Sequence, residues 1–360
     1  MPFYKTVFDG FKATGDDVSS KRAARALLDL RTQLRRELPQ RNVTDSILLA
    51  TWNLREFGAN SKFGKRLDES LLYIAEIVSH FDLIAIQEVN QNLGDLKLLM
   101  QYLGRWWEYL VTDVTPGHSG NMERMAFVYD GRKVQFDHLA GEVSLADGPK
   151  QQRQPARSPF ICAFRTGWRR VSLCSVHIYY GKAAANDKRR VTEIDTISEL
   201  LAKRNASRQN VADGEPENVV LLGDFNIFNR EGDKTSSALE KHDFIVPKSI
   251  RRAPGSNIAQ DKYFDQIAFH DPKGRLKTTS KAGVFQFTKS VFKDGDAGVY
   301  SNAMQAAIPA QFKRAKDPKA LYKKWRTFQI SDHYPLWLEL KTDFANAYLA
   351  TIAGLNRKKK

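Results

Sequence analysis

The sequence predicts a layered α/β domain, on three observations. Short runs rich in β-branched and aromatic residues recur from Ser46 onward, longer helical-period stretches separate them, and turn-forming residues flank the apolar runs. With 360 residues, 42% of them hydrophobic, the chain has ample material for a buried core. A fibrous or mainly disordered chain is excluded.

Residues 1–45 read as a helical extension, with Ser19 or Ser20 capping a helix that runs to about Pro39 and docks through Ala24, Leu27, Leu28, Leu30 and Leu34. The strands expected next are 47–53, 82–88, 109–113, 124–130, 160–164, 171–180, 218–226, 263–269 and 335–341. Helices are expected over 64–79, 94–103 and 186–204, where apolar residues fall at helical spacing. The main domain spans 46–342 with a basic insertion at 271–330, and 343–360 reads as a basic tail.

The formal net charge of +15 is unevenly placed. Residues 46–270 carry only +1, whereas 271–330 carry +9 and 357–360 carry +4. An anionic partner is therefore expected to bind beside the main body and not all over it. Cys162 and Cys174, the only cysteines, lie in consecutive strands and read as two buried thiols. With no signal-peptide pattern and no apolar run of membrane-spanning length, the sequence reads as soluble and cytoplasmic, with no membrane partner.

Polar residues close several apolar strands. Asn53, Glu88, His177, Asp224 with Asn226, Asp265, and Asp332 with His333 arrive from non-adjacent segments. Taken singly, each has an ordinary structural reading: a strand end, a tight Asx turn, a satisfied interior histidine. Their joint occurrence in this order points to a site.

The set Trp52-Asn53, Gln87-Glu88, Glu123-Arg124, Arg157-Ser158-Pro159, Val176-His177, Gly223-Asp224-Phe225-Asn226, Asp265 and Ser331-Asp332-His333 resembles the endonuclease/exonuclease/phosphatase superfamily, in its deoxyribonuclease I-like branch. The resemblance implies an α/β four-layer sandwich: two packed mixed β-sheets flanked by helices. It also implies Mg²⁺, with Mn²⁺ as a substitute, and phosphoester hydrolysis. Asn53, Glu88 and Asp332 match metal positions, and hard oxygen donors suit Mg²⁺. Asp224 and Asn226 match residues that orient water and phosphate. His333 with Asp265, and His177 with Glu123, match the histidine–carboxylate pairs, and Arg157 matches a phosphate-binding arginine.

Within the superfamily, Val176-His177-Ile178 replaces the Tyr-Val-Pro-Asn segment of abasic endonucleases, and Gly-Asp-Phe-Asn-Ile-Phe departs from the inositol phosphatase pattern. The cations of 271–330, including Lys289, Lys293, Lys323, Lys324 and Arg326, alternate with Phe285, Phe287, Phe292, Tyr300, Tyr322 and Trp325. That mixture predicts a nucleic-acid surface, DNA favoured, and hence an endonuclease. RNA cleavage, a phosphatase or lipid phosphodiesterase, and a nucleic-acid-docking subunit are the alternatives.

Overall fold

The computed structural model describes residues 2–58, 62–115, 121–145, 154–182, 184–209 and 218–355. In chain order the strands are β1 (Ser46–Phe57), β2 (Leu83–Asn90), β3 (Trp107–Val111), β4 (Glu123–Asp130), β5 (Gln135–Glu142), β6 (Phe160–Thr166), β7 (Arg169–His177), β8 (Val219–Asp224), β9 (Asp265–His270), β10 (Thr278–Val284) and β11 (Leu336–Lys341). They form a six-stranded sheet, β10-β11-β1-β2-β4-β3, and a five-stranded sheet, β5-β6-β7-β8-β9. Both are mixed, because β1–β2 and β7–β8 pair in parallel while their neighbours run antiparallel.

Alternation along β1 explains the layering. Ile47 and Leu49 join the core between the sheets, while Leu48, Ala50, Trp52 and Leu54 face an outer helical layer. The outer layer on the six-stranded sheet comprises α1 (Lys5–Thr14), α2 (Asp17–Glu37), α3 (Asp68–Val78) and α4 (Gly94–Leu103). On the other sheet, α5 (Lys188–Gln209) and α6 (Lys234–Glu240) supply Ile194, Ile197, Leu201 and Leu239 to the core. The result is a four-layer sandwich.

The N-terminal segment differs from expectation in two ways. An unexpected helix, α1, precedes α2, and the cap of α2 is Asp16, whose carboxylate accepts from Ser19 N at 3.0 Å, not Ser19 or Ser20. Leu27, Leu30 and Leu34 share one core with Trp52, Tyr73 and Phe292. Arg22 forks onto Glu69 and Arg31 meets Glu76 at 2.8 Å, so α2 is clamped to α3. Arg41 then reaches Asp82 and Asp130, both at 2.6 Å, at the foot of the sheet.

The remaining helices are α7 (Lys248–Arg251), α8 (Ser301–Ala307), α9 (Pro309–Arg314), α10 (Pro318–Gln329) and α11 (Ala345–Ile352). The structure corrects the reading of 271–330. Phe285, Phe287, Phe292, Tyr300, Tyr322 and Trp325 are all buried in the same core as α2, so these rings hold the insertion onto the domain and offer no stacking surface. Cys162 and Cys174 are free and buried. The basic residues 357–360 lie outside the described residues.

Candidate active site

The functional side chains gather where β1, β2, β7 and β8 end. Local irregularities aim them. The β1–β2 register shifts between Asn53 and Phe57, and the β2–β4 register shifts between Ile86 and Val89, so Asn53 and Glu88 both stand at bulges. Glu88 (φ 59°) and Asn226 (φ 53°) occupy the left-handed region, a strained choice for residues with side chains. Gly223 (φ 138°) is required by close approach: a Cβ there would lie 2.1 Å from the Val176 carbonyl on β7.

Hydrogen bonds interlock the segments. Trp52 Nε1 donates to the His333 carbonyl at 2.8 Å, and Ser331 Oγ donates to the Asn53 carbonyl at 2.6 Å. Gln87 bridges the two sheets, accepting from Thr51 Oγ1 and donating to Ser175 Oγ at 3.0 Å.

Asp224 is the centre. Its Oδ2 accepts from Asn53 Nδ2 at 3.0 Å and its Oδ1 from Asn226 N at 2.9 Å. His177 Nε2 lies 3.6 Å and His333 Nε2 3.9 Å from that same Oδ2. Each imidazole is backed by a carboxylate on its other nitrogen: Nδ1 of His333 is 2.7 Å from Asp265 Oδ2, and Nδ1 of His177 is 3.0 Å from Glu123 Oε2. Asn226 is fixed by donation from Nδ2 to the Ile178 carbonyl at 2.8 Å.

Charge follows this geometry. Burial opposes charging His333, but Asp265 and Asp224 outweigh it and raise its pKa to about 10. His177 is also raised, since Glu123 and Asp224 overcome burial and Arg157. Burial would raise Glu123, yet His177 and Arg157 bring it down to about 2. Glu88 is raised by burial, with Glu123 and Asp332 adding to the effect.

Two expected residues stand differently. The fork of Arg157 is engaged with Glu123, at 3.0 and 3.2 Å, and the side chain is buried. It therefore positions Glu123 and is not open for a phosphate. Asp332 lies at the rim, its carboxylate 3.0 Å from Arg55 Nη1.

Asn53 Oδ1 is buried and has no hydrogen-bond partner, while Asn53 Nδ2 donates to Glu88 Oε1 at 2.8 Å. An unpartnered amide oxygen beside a part-buried carboxylate suits a hard divalent cation. Among the described residues, no three or more His, Cys, Asp or Glu side chains form a preformed metal cage. The donor set fits Mg²⁺, which takes few protein ligands and keeps waters.

Several cations of the basic insertion are held in ion pairs. Lys293 meets Asp29 at 2.9 Å, Lys289 meets Glu37 at 3.5 Å and Lys323 meets Asp294 at 3.6 Å. Arg326 is buried, donates to the Phe292 carbonyl at 2.8 Å and pairs with Asp294, which corrects its assignment to a nucleic-acid surface. Lys324 lies over the Phe63 ring. Lys313, Arg314, Lys316 and Lys319 are exposed, on and between α9 and α10.

The cation–aromatic surface lies elsewhere. Phe264 stacks on His333 with centroids 5.4 Å apart, and Phe228 and the half-exposed Tyr180 pack against Phe264. Arg230 covers Tyr263 at 4.1 Å, Lys262 lies 5.5 Å from Phe228, and Arg189 covers Tyr179 at 3.8 Å. These residues adjoin the motif positions in sequence, and that adjacency was the available signal.

The family model for the endonuclease/exonuclease/phosphatase family matches residues 50–257, more than half of the chain. The chain belongs to the endonuclease/exonuclease/phosphatase family. Enzymes of this family hydrolyse phosphodiester or phosphate ester bonds and typically use divalent metals. No curated protein matches the chain in sequence. Among solved structures, a functionally unknown conserved protein from Enterococcus faecalis is 16% identical, with 82% of this chain and 99% of that chain covered and a TM-score of 0.51. The human Nocturnin catalytic domain with bound sulfate is 13% identical, with 82% and 94% covered and a TM-score of 0.50. A mannosyl-6-phosphatase from Bacteroides thetaiotaomicron is 18% identical, with 82% and 99% covered and a TM-score of 0.49. At these identities the likeness to the first two is one of fold alone.

Proposed function

We propose that this family member is a divalent-metal-dependent phosphodiesterase that cleaves nucleic acid, with internal cutting of DNA as the favoured reaction. The observation that carries this reading is the convergence of two carboxylate-backed histidines, His177 and His333, on the single oxygen Asp224 Oδ2.

Glu88 and Asn53 Oδ1, with Asp332 at the rim, would hold the cation. When bound there, the ion neutralises charge on the phosphate oxygens. Asp224 and Asn226 orient the attacking water. With Nδ1 of each imidazole turned to its carboxylate, both Nε2 atoms face the same space. One imidazole takes the proton of the attacking water, and the other supplies a proton to the departing oxygen. Arg157 acts behind this pair by fixing Glu123.

A polymeric substrate is supported by the lip of Tyr180 and Phe264, backed by the buried Phe228 and flanked by Arg230 and Lys262, a mixture that suits bases and a phosphate backbone. Lys313, Arg314, Lys316 and Lys319 add exposed cations on and beside α9, which abuts the segment after β1 through Gln311 Nε2 and the Lys62 carbonyl. DNA is favoured through the His177–Glu123 resemblance to the deoxyribonuclease I-like branch.

The test is incubation with supercoiled plasmid, single-stranded DNA, RNA and small phosphomonoesters, with Mg²⁺, Mn²⁺ or EDTA. Nicking of plasmid that stops with EDTA and weakens steeply with salt is expected. Hydrolysis of monoesters with plasmid left intact would replace this reading with a phosphatase.

A further inference from the structure

Arg190, in the first turn of α5, is completely buried. Its guanidinium donates from Nε to the Tyr179 carbonyl at 3.2 Å, from Nη2 to the Tyr180 carbonyl, and from Nη1 to the Ala184 and Ala185 carbonyls at 3.0 and 3.4 Å. Among the described residues no carboxylate forms an ion pair with it. Burial lowers its pKa, and the charges of Asp187, Asp233 and Asp224 oppose this. A buried cation without an ion pair costs stability, and here backbone carbonyls satisfy it instead. The planar fork, with donors at fixed angles, spans two arms of chain at once, 179–180 and 184–185.

The base of this grip is itself fixed. Asp187 Oδ1 accepts from Arg189 N at 3.0 Å and from Arg190 N at 3.2 Å, which satisfies free donors at the start of α5. Glu193, three residues on and buried, accepts from Tyr179 N at 3.3 Å. Two side chains of α5 therefore hold Tyr179 by its N–H and its carbonyl. Just upstream, Ile178 N donates to the Asp224 carbonyl at 2.8 Å, and the Ile178 carbonyl accepts from Asn226. The chain is thus tied down from His177 to Tyr180.

The grip ends at the lip of the site. The exposed ring of Tyr180 lies 5.9 Å from Phe228 and 6.3 Å from Phe264, which stacks on His333. The Arg190 guanidinium is 4.8 Å from the Phe228 ring centre and 5.9 Å from that of Tyr180. It underlies the lip as well as holding its backbone.

We propose, resting on the nucleic-acid reading of the lip, that Arg190 is a positioning residue for substrate: by gripping both arms it sets the Tyr180 ring where a base stacks. It touches no reacting atom. A lip held in place before substrate arrives loses less freedom on binding, so the effect belongs in KM and not in kcat.

The experiment measures steady-state cleavage of a single-stranded oligodeoxynucleotide with Mg²⁺ by wild type, Arg190→Lys, Tyr180→Ala and the double variant. Lysine keeps the charge but presents its donors from one nitrogen, so it cannot span the two arms. In Arg190→Lys the KM should rise about fivefold or more, with kcat within about twofold of wild type. The KM of the double variant should lie within about twofold of Tyr180→Ala alone, because a residue that acts through Tyr180 then has nothing left to position. An unchanged KM in Arg190→Lys, a fall in kcat matching the rise in KM, or effects that multiply in the double variant would overturn the proposal. Should Arg190→Lys fail to fold, hydrogen exchange on the wild type decides. The amides of residues 179–182 in the free enzyme should exchange at least about tenfold more slowly than those of an unstructured chain, and exchange at the unstructured rate would also overturn it. If the wild type cleaves no nucleic acid, the nucleic-acid reading itself fails. Cleavage with an unaltered KM in Arg190→Lys removes only the role of Arg190.

Discussion

Nδ1 of His177 lies 3.0 Å from Oε2 of Glu123, and the opposite ring nitrogen faces Asp224. Arg157 holds Glu123 from behind with both ends of its fork. His177 is thus the visible end of a three-residue chain reaching from β4 and the segment before β6.

That chain predicts graded losses. Glu123→Gln leaves the volume but removes the charge that orients the ring, and plasmid-nicking kcat should fall roughly 10²- to 10⁴-fold. Arg157→Lys keeps the charge and loses the fork, so a smaller fall of about 10- to 100-fold is expected, with KM little changed. A large KM rise for Arg157→Lys with kcat preserved would instead make Arg157 a direct phosphate ligand.

The pairing of Glu88 with Asn53 predicts the metal response. In Glu88→Gln and Asn53→Ala the Mg²⁺ concentration for half-maximal rate should rise about tenfold or more, and calorimetric titration with Mg²⁺ should show matching loss of binding. Unchanged Mg²⁺ titrations in both variants would place the cation elsewhere.

The lip predicts substrate discrimination. Tyr180→Ala should raise KM for DNA by roughly 5- to 100-fold, the loss of one stacked base, while hydrolysis of a small phosphodiester stays within about twofold of wild type. Equal effects on both substrates would mean that Tyr180 supports the loop and not the substrate.

A separate pH prediction concerns Asp130, at the foot of the sheet with Arg41 and Arg132. Burial raises its pKa, but Arg132 and Arg41 outweigh this and hold it at about 2. The folded carboxyl lies below its unfolded value of about 3.9, so the stabilisation is complete above that value and fades as pH falls from about 4 to about 2. Asp130→Asn should lower Tm by roughly 2–4 °C at pH 7, with the gap closing below pH 3. A gap that is constant with pH would exclude an ionic origin.

Much of the site is legible in sequence because several of its strands are mainly apolar and close on polar residues: Leu48 through Asn53, Leu83 through Glu88, Val219 through Asp224. Strands without a buried face leave no such mark. β5, Gln-Phe-Asp-His-Leu-Ala-Gly-Glu, is an edge strand without a fully buried residue, and β10 is the edge of the other sheet. Composition misleads over 271–330. Tyr322, Trp325 and Phe328 are spaced as the buried stripe of α10, but dense lysines around them read as a binding surface. Whether Arg157 faces phosphate or Glu123 is a matter of side-chain direction, which spacing does not encode.

The most direct test of the central claim compares single-turnover plasmid nicking with Mg²⁺ by wild type, His177→Ala, His333→Ala and the double variant. If both histidines serve one phosphate beside Asp224, each single variant is slower by about 10² or more, and the double variant is far less impaired than the product of the two. Either single variant within tenfold of wild type would contradict the two-histidine site.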